Sequence, residues 1–294
     1  MVKELLLGDN PFIGVSHLAQ EKAREERTQL LTKVKVIEAA VDGGVTGFTF
    51  STHQLNLELL QYMDENCRDL LEKLNYYILV PYAQGYVRQT NVLGTVGLVK
   101  TVVRNVVLED PLSFLSLALR ASVERIAGLF IVIEARPYLK ILPREKTKAL
   151  ILHEVLTELI VAYNLVDLLK ELKRYIEVKL GVSFGLETRN VGHLRQFLDE
   201  NDVHVEYVMT PMNPLGYQMA PSKEEAEKAI EDLANRGIKV IAINVLASGA
   251  ISLESACEYL KKFAEKIYAI AYGTSKPLRA KGNAIAFRRC LFIE

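Results

Sequence analysis

Short apolar runs rich in β-branched residues alternate with longer amphipathic segments along the whole chain. The clearest runs, each predicted to form a strand, are Tyr76–Pro81, Gly128–Ile133, Val178–Ser183, Val205–Thr210, Lys239–Ile243 and Ile267–Ala271, with weaker candidates at Leu5–Gly8 and Thr46–Phe50. Near-continuous apolar character is what a parallel strand buried on both faces requires. Eight strand–helix pairs without a linker or a break in composition favour an α/β fold, a closed (β/α)8 TIM barrel in which all 294 residues form one domain.

Residues 83–127 interrupt the simple repeat between the third and fourth predicted strands. Apolar positions from Val96 to Val106 have helical spacing, and a second helix is predicted after Pro111. We therefore expect extra helices here, a helical insertion near the barrel that either enlarges the outer layer, forms a subunit contact or covers the barrel mouth. The segment around Arg144–Tyr175, after the fourth predicted strand, is predicted as one long helix.

Composition excludes several classes of protein. Lys plus Arg equals Asp plus Glu, 36 against 36, so no global basic field attracts nucleic acid or an anionic membrane. No apolar run approaches the length of a membrane span, and the first residues do not resemble a signal peptide. The three cysteines, Cys67, Cys257 and Cys290, fit neither a zinc site nor a disulfide framework, which predicts free thiols in a reducing cytoplasm. The absence of Trp and the wealth of Lys, Glu, Ile and Val indicate a thermophile.

Four blocks in the second half of the chain resemble the aldo-keto reductases. Leu180–Ser183 (LGVS) resembles that family's fifth strand, and Asn213–Leu215 lies where the family has its sixth-strand motif. Gly237–Gly249 (GIKVIAINVLASG) is similar to the seventh strand, and Thr274–Asn283 (TSKPLRAKGN) is similar to the dinucleotide-phosphate loop that opens the eighth helix. The order and spacing of the blocks also match the family.

The resemblance implies a bound NADP or NAD. It assigns contacts with the dinucleotide to Ser183, Asn244, Thr274, Arg279 and Asn283. A helix N-terminus favours an anion in its own right, and the planar fork of an arginine one turn into the helix can pair with a phosphate. An ordinary helix start with a solvated arginine is the alternative interpretation of this segment.

The catalytic tetrad of the family is not matched. Its Asp falls at Thr49, its proton-donating Tyr at Gln54, its Lys at Tyr82, and its His at Ile133 or Glu134. A carbonyl reductase needs a proton donor beside the hydride acceptor, and a glutamine does not supply one. The resemblance therefore implies a divergent oxidoreductase that lacks the standard tetrad.

Barrel enzymes hold their chemistry at the C-terminal ends of the strands. The residues expected at those ends are Asp9, Asn10, Ser51, Thr52, His53, Tyr82, Gln84, Glu134, Arg136, Glu187, Arg189, Asn213, Asn244 and Tyr272. From this ring Asp9, His53, Tyr82 and Glu134 are the candidate catalytic residues, and the remaining histidines, among them His153, are expected to be structural. Asp9, His53 and Glu134, with Glu187, could alternatively hold a divalent metal.

Three functions remain open on the sequence. The first is a divergent NAD(P)-binding oxidoreductase, with Tyr82, His53 or Glu134 as the acid. The second is a lyase, isomerase or hydrolase, metal-assisted or not, acting on a small phosphorylated or polar substrate. The third is a non-catalytic ligand-binding barrel. All three predict a small-molecule partner rather than nucleic acid or a membrane, and all are compatible with a homo-oligomer.

Overall fold

Eight parallel strands close into a barrel in the order of the sequence. The structure, a computed structural model, describes residues 1–14, 29–82 and 123–292. The strands are β1 Glu4–Gly8, β2 Gly47–Ser51, β3 Asn75–Val80, β4 Thr147–Leu152, β5 Ser183–Glu187, β6 Tyr207–Pro211, β7 Lys239–Ile243 and β8 Ile267–Gly273. Because β8 pairs with β1, the sheet has no open edge. The predicted (β/α)8 barrel is confirmed.

Helices surround the barrel and bury its outer face. Those in the described ranges are α1 Leu30–Asp42, α2 Gln54–Asn66, α3 Arg68–Lys73, α4 Val123–Ile141, α5 Glu154–Ala162, α6 Val166–Arg174, α7 Val191–Glu200, α8 Lys223–Asn235, α9 Leu253–Lys261 and α10 Pro277–Leu291. None of them combines the length and the apolar character needed to cross a bilayer, a statement that covers the described residues alone.

The strands are buried on both faces, as their sequences require. One set of side chains, including Leu6, Ile151 and Ile241, fills the interior of the barrel, and each is fully buried. Side chains of the other set, such as Leu5 and Val240, pack beneath the helices. Successive side chains of a strand point to opposite faces, so a run of apolar residues satisfies both layers.

The fourth strand is not where the sequence analysis puts it. Gly128–Ile133 lies inside α4, and β4 is Thr147–Leu152, within the segment predicted as a long helix. Ile131, Ala135 and Tyr138 are buried at helical spacing, so the apolar run continues as one face of a helix. A six-residue apolar run does not distinguish a strand from a buried helix by itself.

The fifth strand is displaced towards the C-terminus. The prediction was Val178–Ser183, but Tyr175–Leu180 forms a π-helical turn, and β5 begins at Ser183. Gly181 ends the turn with a φ of 66°, a left-handed conformation that suits glycine. The displacement moves Ser183 from the expected end of the strand to its beginning.

The segment 83–127 is described only at its end. The two helices predicted between Val96 and Leu117 lie outside the described residues, and 123–127 form the first part of α4. Within the described residues, α4 is therefore the α-helix that lies between β3 and β4.

Two of the three cysteines are bonded, contrary to the prediction of free thiols. Cys257 on α9 and Cys290 on α10 form a disulfide, and Cys67 is free. The two residues are 33 positions apart, and packing of neighbouring helices brings their Cα atoms to 6.0 Å. That proximity arises from tertiary packing, which cysteine spacing does not reveal.

Candidate functional site

A cavity of about 480 Å³ opens at the C-terminal ends of the strands. This is the end at which the active sites of TIM-barrel enzymes are found. Its polar lining comes from four parts of the barrel, namely the ends of β1, β2 and β3, the ends of β4 and β5, the loop after β7, and the end of β8 with the start of α10. The polar and charged residues there are Asp9, Asn10, Thr49, Ser51, Tyr82, His153, Glu154, Glu187, Arg189, Asn244, Ser248, Tyr272, Ser275, Arg279 and Asn283.

The first turn of α10 forms one side of the cavity. Pro277 opens the helix, and no side chain caps its N-terminus. Asn283 is 93% buried as a residue, since only 7% is exposed, and its side chain makes no hydrogen bond with any described residue. Arg279 is exposed and has no ion-pair partner in the described ranges. Both side chains line the cavity, so the guanidinium group of Arg279 and the buried amide group of Asn283 are available to a ligand.

Thr274 supports this turn from behind. Its side chain is 5% exposed, and its Oγ1 accepts a hydrogen bond from the backbone N–H of Lys276 at 3.3 Å. It does not line the cavity, whereas the next residue, Ser275, does. The Oγ1 atom of Thr274 thus takes part in a hydrogen bond within the loop.

The loop after β7 forms the adjacent wall with an unusual backbone. Three non-glycine residues have positive φ angles, Asn244 at 50°, Ala247 at 46° and Ser248 at 58°, and Gly249 follows at 90°. Left-handed conformations of side-chain-bearing residues cost about 1–3 kcal/mol each and cluster at functional sites. Asn244 and Ser248 both line the cavity, so the strained loop faces the same space as α10.

Asp9 occupies the floor of the cavity between β1 and β2. Its Oδ2 accepts hydrogen bonds from Ser51 N at 3.0 Å, Ser51 Oγ at 2.9 Å and Asn56 Nδ2 at 2.6 Å. Burial raises the pKa of Asp9, and the three donors partly oppose that effect. These donors fix the orientation of the carboxyl group.

A second acidic group lies at the ends of β4 and β5. Glu187, the last residue of β5, is 8% exposed, and its Oε2 accepts a hydrogen bond from the backbone N–H of Glu154 at 3.2 Å. Burial, with the negative charge of Glu154 as the next cause, raises the pKa of Glu187 to about 8. Arg189 binds Glu154 through two guanidinium nitrogens, one at 2.5 Å, so Glu154 is the ionised member of the pair.

His153 follows β4 and lines the same cavity. Its Nδ1 accepts a hydrogen bond from Val155 N at 3.3 Å and caps α5. Burial and, to a lesser extent, the positive charge of Arg189 lower the pKa of His153 to about 4, so the ring is neutral near pH 7.

The other candidate acids form a separate group beside the cavity. Tyr82 lines it, and the backbone N–H of Tyr82 donates to Glu134 Oε1 at 2.8 Å. Glu134 is on helix α4 rather than at a strand end, and it also accepts a hydrogen bond from Thr52 Oγ1. The His53 ring packs edge-on against Tyr82 with centroids 4.7 Å apart, while its Nδ1 caps α2. Neither Glu134 nor His53 is among the residues that line the cavity.

Ser183 lies at the opposite end of the barrel. Its Oγ donates to Glu206, which precedes β6 and also binds Lys239 at the start of β7. Because Ser183 lies at the N-terminal end of β5, it does not reach the cavity. The position of the strand therefore corrects the prediction that Ser183 contacts a dinucleotide there.

His153 and Glu154 were not predicted at the barrel mouth, because β4 was not predicted from the sequence. The run Ala149–Leu152 (ALIL) followed by a histidine was the available signal, and it was assigned to a helix. Glu187 and Arg189 were expected at the mouth, and both line the cavity.

A metal alternative has no support in the structure. In the parts of the chain that it describes, His, Cys, Asp and Glu side chains do not converge in any group of three or more that could hold a metal ion. Asp9, His53 and Glu134 are held instead by the hydrogen bonds and ring contact given above.

Comparison with known proteins finds likeness in structure alone. No protein-family model and no curated protein sequence matches the chain. A protein of Pseudomonas aeruginosa provisionally assigned to the aldo-keto reductases matches 99% of this chain and 92% of its own, with a TM-score of 0.56 and 15% identity. The aldo-keto reductase AKR11C1 from Bacillus halodurans, in its holo form, matches 97% and 86%, with a TM-score of 0.60 and 10% identity. The chain therefore has the (β/α)8 barrel fold found in the aldo-keto reductases.

Proposed function

We propose that this protein is an NAD(P)H-dependent oxidoreductase that interconverts small, uncharged carbonyl compounds and alcohols. One observation carries the proposal. The same cavity contains the start of α10, with Arg279 and Asn283, and the buried carboxyl groups of Asp9 and Glu187. An oxidoreductase of this type needs a nucleotide site and a proton donor in one enclosed space.

The nucleotide side of the cavity has the groups that a dinucleotide requires. In the part of the chain that the structure describes, no side chain caps the N-terminus of α10 and no acidic group pairs with the guanidinium of Arg279. With the buried amide of Asn283, these groups suit a phosphate and its ribose. The strained loop from Asn244 to Gly249 lies along the same wall. When bound, the reduced nicotinamide supplies a hydride. The fold shared with AKR11C1, an aldo-keto reductase whose structure is that of a holo form, supports a cofactor-dependent reductase.

An uncharged substrate agrees with the charges at the β4 and β5 ends of the cavity. The guanidinium of Arg189 is bound by Glu154, and its backbone N–H donates to Glu158. With Glu187 protonated and His153 neutral, this part of the cavity offers hydrogen bonds and little net charge. Asp9 and Tyr82 are further groups that can contact such a substrate.

The test is a titration of NADPH and NADH, followed by the fluorescence of the nucleotide itself. The chain has no Trp, so protein emission interferes little. We expect saturable binding in the micromolar range, about −8 kcal/mol. Arg279→Ala and Asn283→Ala should each weaken binding by about tenfold, which corresponds to about 1.4 kcal/mol.

Arg289→Ala is the matched control, because Arg289 is an exposed arginine of the same helix that does not line the cavity. Its affinity should equal that of the wild type. Absence of binding up to millimolar nucleotide, or equal loss in the control, would refute the assignment of the dinucleotide to this cavity.

A further inference from the structure

Glu187 lines the cavity, and one of its carboxyl oxygens accepts no hydrogen bond from any described residue. The side chain is almost fully buried at the end of β5. Its Oε2 accepts a single hydrogen bond, from Glu154 N, whereas no described residue donates to Oε1. A buried ionised carboxylate normally gathers several donors, so one donor indicates the neutral acid.

Two charged groups beside Glu187 raise its pKa and one lowers it. The negative charges of Glu154 and of Asp9, which lies across the cavity after β1, oppose ionisation of Glu187, whereas Arg189, which is bound by Glu154, favours it. His153, at the end of β4, is neutral near pH 7 and therefore adds no positive charge. These groups keep a proton on Glu187 at neutral pH.

Two other acids that line the cavity have internal hydrogen-bond partners. Oδ2 of Asp9 accepts three hydrogen bonds, which partly oppose the rise in its pKa that burial causes. The hydroxyl of Tyr272 donates to Ala280 O at 2.6 Å. Gln54, which occupies the position of the family's proton-donating tyrosine, has no acidic proton near neutral pH.

We propose that Glu187 is the catalytic acid of the reaction described above, in place of the missing tyrosine. The inference rests on the proposed function. In the reduction direction the substrate carbon gains a hydride from the reduced dinucleotide, and the π electrons of the carbonyl move onto its oxygen. The O–H bond of Glu187 breaks, a new O–H bond forms on the substrate oxygen, and Glu187 becomes a carboxylate. That carboxylate takes up a proton from water at the mouth before the next turnover.

The first readout needs neither substrate nor nucleotide. A folded carboxyl group with a raised pKa holds a proton that the unfolded chain has released, so its contribution to stability is lost as pH rises towards about 8. From pH 6.5 to 8 the urea midpoint of the wild type should fall relative to that of Glu187→Gln, whose amide does not titrate. His153 titrates in the wild type and in Glu187→Gln alike, so its contribution cancels in this comparison.

The second readout is turnover of DL-glyceraldehyde and a panel of small neutral ketones with NADPH. Glu187→Gln should lower kcat by about 10²–10⁴-fold while the dissociation constant of NADPH stays within twofold. Glu187→Asp should retain part of the activity, and wild-type kcat should fall as pH rises through about 8. Glu206→Gln, at the opposite end of the barrel, is the control for a carboxyl-to-amide change.

The possible outcomes separate the two proposals. Two results would overturn the role of Glu187 and leave the proposed function intact. One is a nucleotide-dependent enzyme whose Glu187→Gln variant keeps the kcat of the wild type. The other is a urea midpoint that depends on pH equally in the wild type and in Glu187→Gln. A wild type that binds no nucleotide, or binds it and reduces none of the probes, would overturn the proposed function and with it the role of Glu187 as a reductase acid.

Discussion

The disulfide between Cys257 and Cys290 should be a major source of stability. It joins the last turn of α10 to α9, on either side of β8, and closes a loop of 33 residues. Cross-linking two residues restricts the unfolded chain, and the entropy lost in the unfolded state grows with the logarithm of the loop length. For this loop the effect amounts to about 3.7 kcal/mol at 25 °C.

Cys257→Ser and Cys290→Ser should therefore each lower the free energy of unfolding by about 3–4 kcal/mol. The double variant should lose no more than either single variant, because each substitution already opens the same loop. The corresponding fall in melting temperature is on the order of 5–10 °C for a domain of this size.

The assay is urea unfolding followed by far-ultraviolet circular dichroism, with and without a thiol reductant. The reductant should destabilise the wild type and leave both variants unchanged. Cys67→Ser is the matched control and should behave as the wild type does, because Cys67 is free. A thiol reagent added to the denatured, unreduced wild type should modify one cysteine of the 3 in the chain.

Modification of all three thiols without reductant would refute the assignment of the bond. Additive losses in the two single variants would refute the entropic reasoning instead, since additivity would mean that each side chain contributes through separate contacts.

Two further predictions concern the cavity. Asp9→Ala should lower the free energy of unfolding by about 2–4 kcal/mol, because it leaves the Ser51 and Asn56 donors buried without their acceptor. Asp9→Asn should lower it less in the same urea assay. An equal loss of stability in the two variants would count against the hydrogen bonds as the cause. His153→Asn keeps an acceptor for the cap of α5 but removes the titration. Because the folded pKa of His153 is lowered to about 4, its contribution to stability is lost as pH falls below about 6.5. The free energy of unfolding of the wild type should therefore fall relative to that of the variant by up to about 1.4 kcal/mol per pH unit from 6.5 towards 4. A constant difference would contradict the burial of a neutral ring.

The second half of the barrel was the more predictable half. Lys239–Ile243 was assigned with its observed bounds, since a β-branched apolar run there is bounded by Gly237 and by Asn244. The block from Thr274 to Asn283 also begins a helix in the expected position. In these segments local pattern and tertiary environment agree, so the sequence alone is sufficient.

The β3–β5 region could not be predicted in the same way. Phe130–Ile133 has strong β propensity, but it lies in α4. The α4 residues Ile131, Ala135 and Tyr138 are buried at helical spacing, and this packing overrides propensity. Because that run was assigned to the barrel, the fourth strand was predicted too close to the N-terminus, and His153 was not predicted to lie at the barrel mouth. The raised pKa of Glu187 depends on burial and on the nearby negative charge of Glu154, and both arise from tertiary structure.

Reduction of a carbonyl by the purified protein tests the central claim most directly. The measurement is the loss of dihydronicotinamide absorbance with DL-glyceraldehyde and a panel of small neutral ketones, for the wild type and for Arg279→Ala. We expect saturable turnover in the wild type and a strong rise in the nucleotide KM in the variant, because the same cavity holds the nucleotide residues and the acids. A wild type that binds NADPH or NADH but consumes neither with any probe would contradict the account.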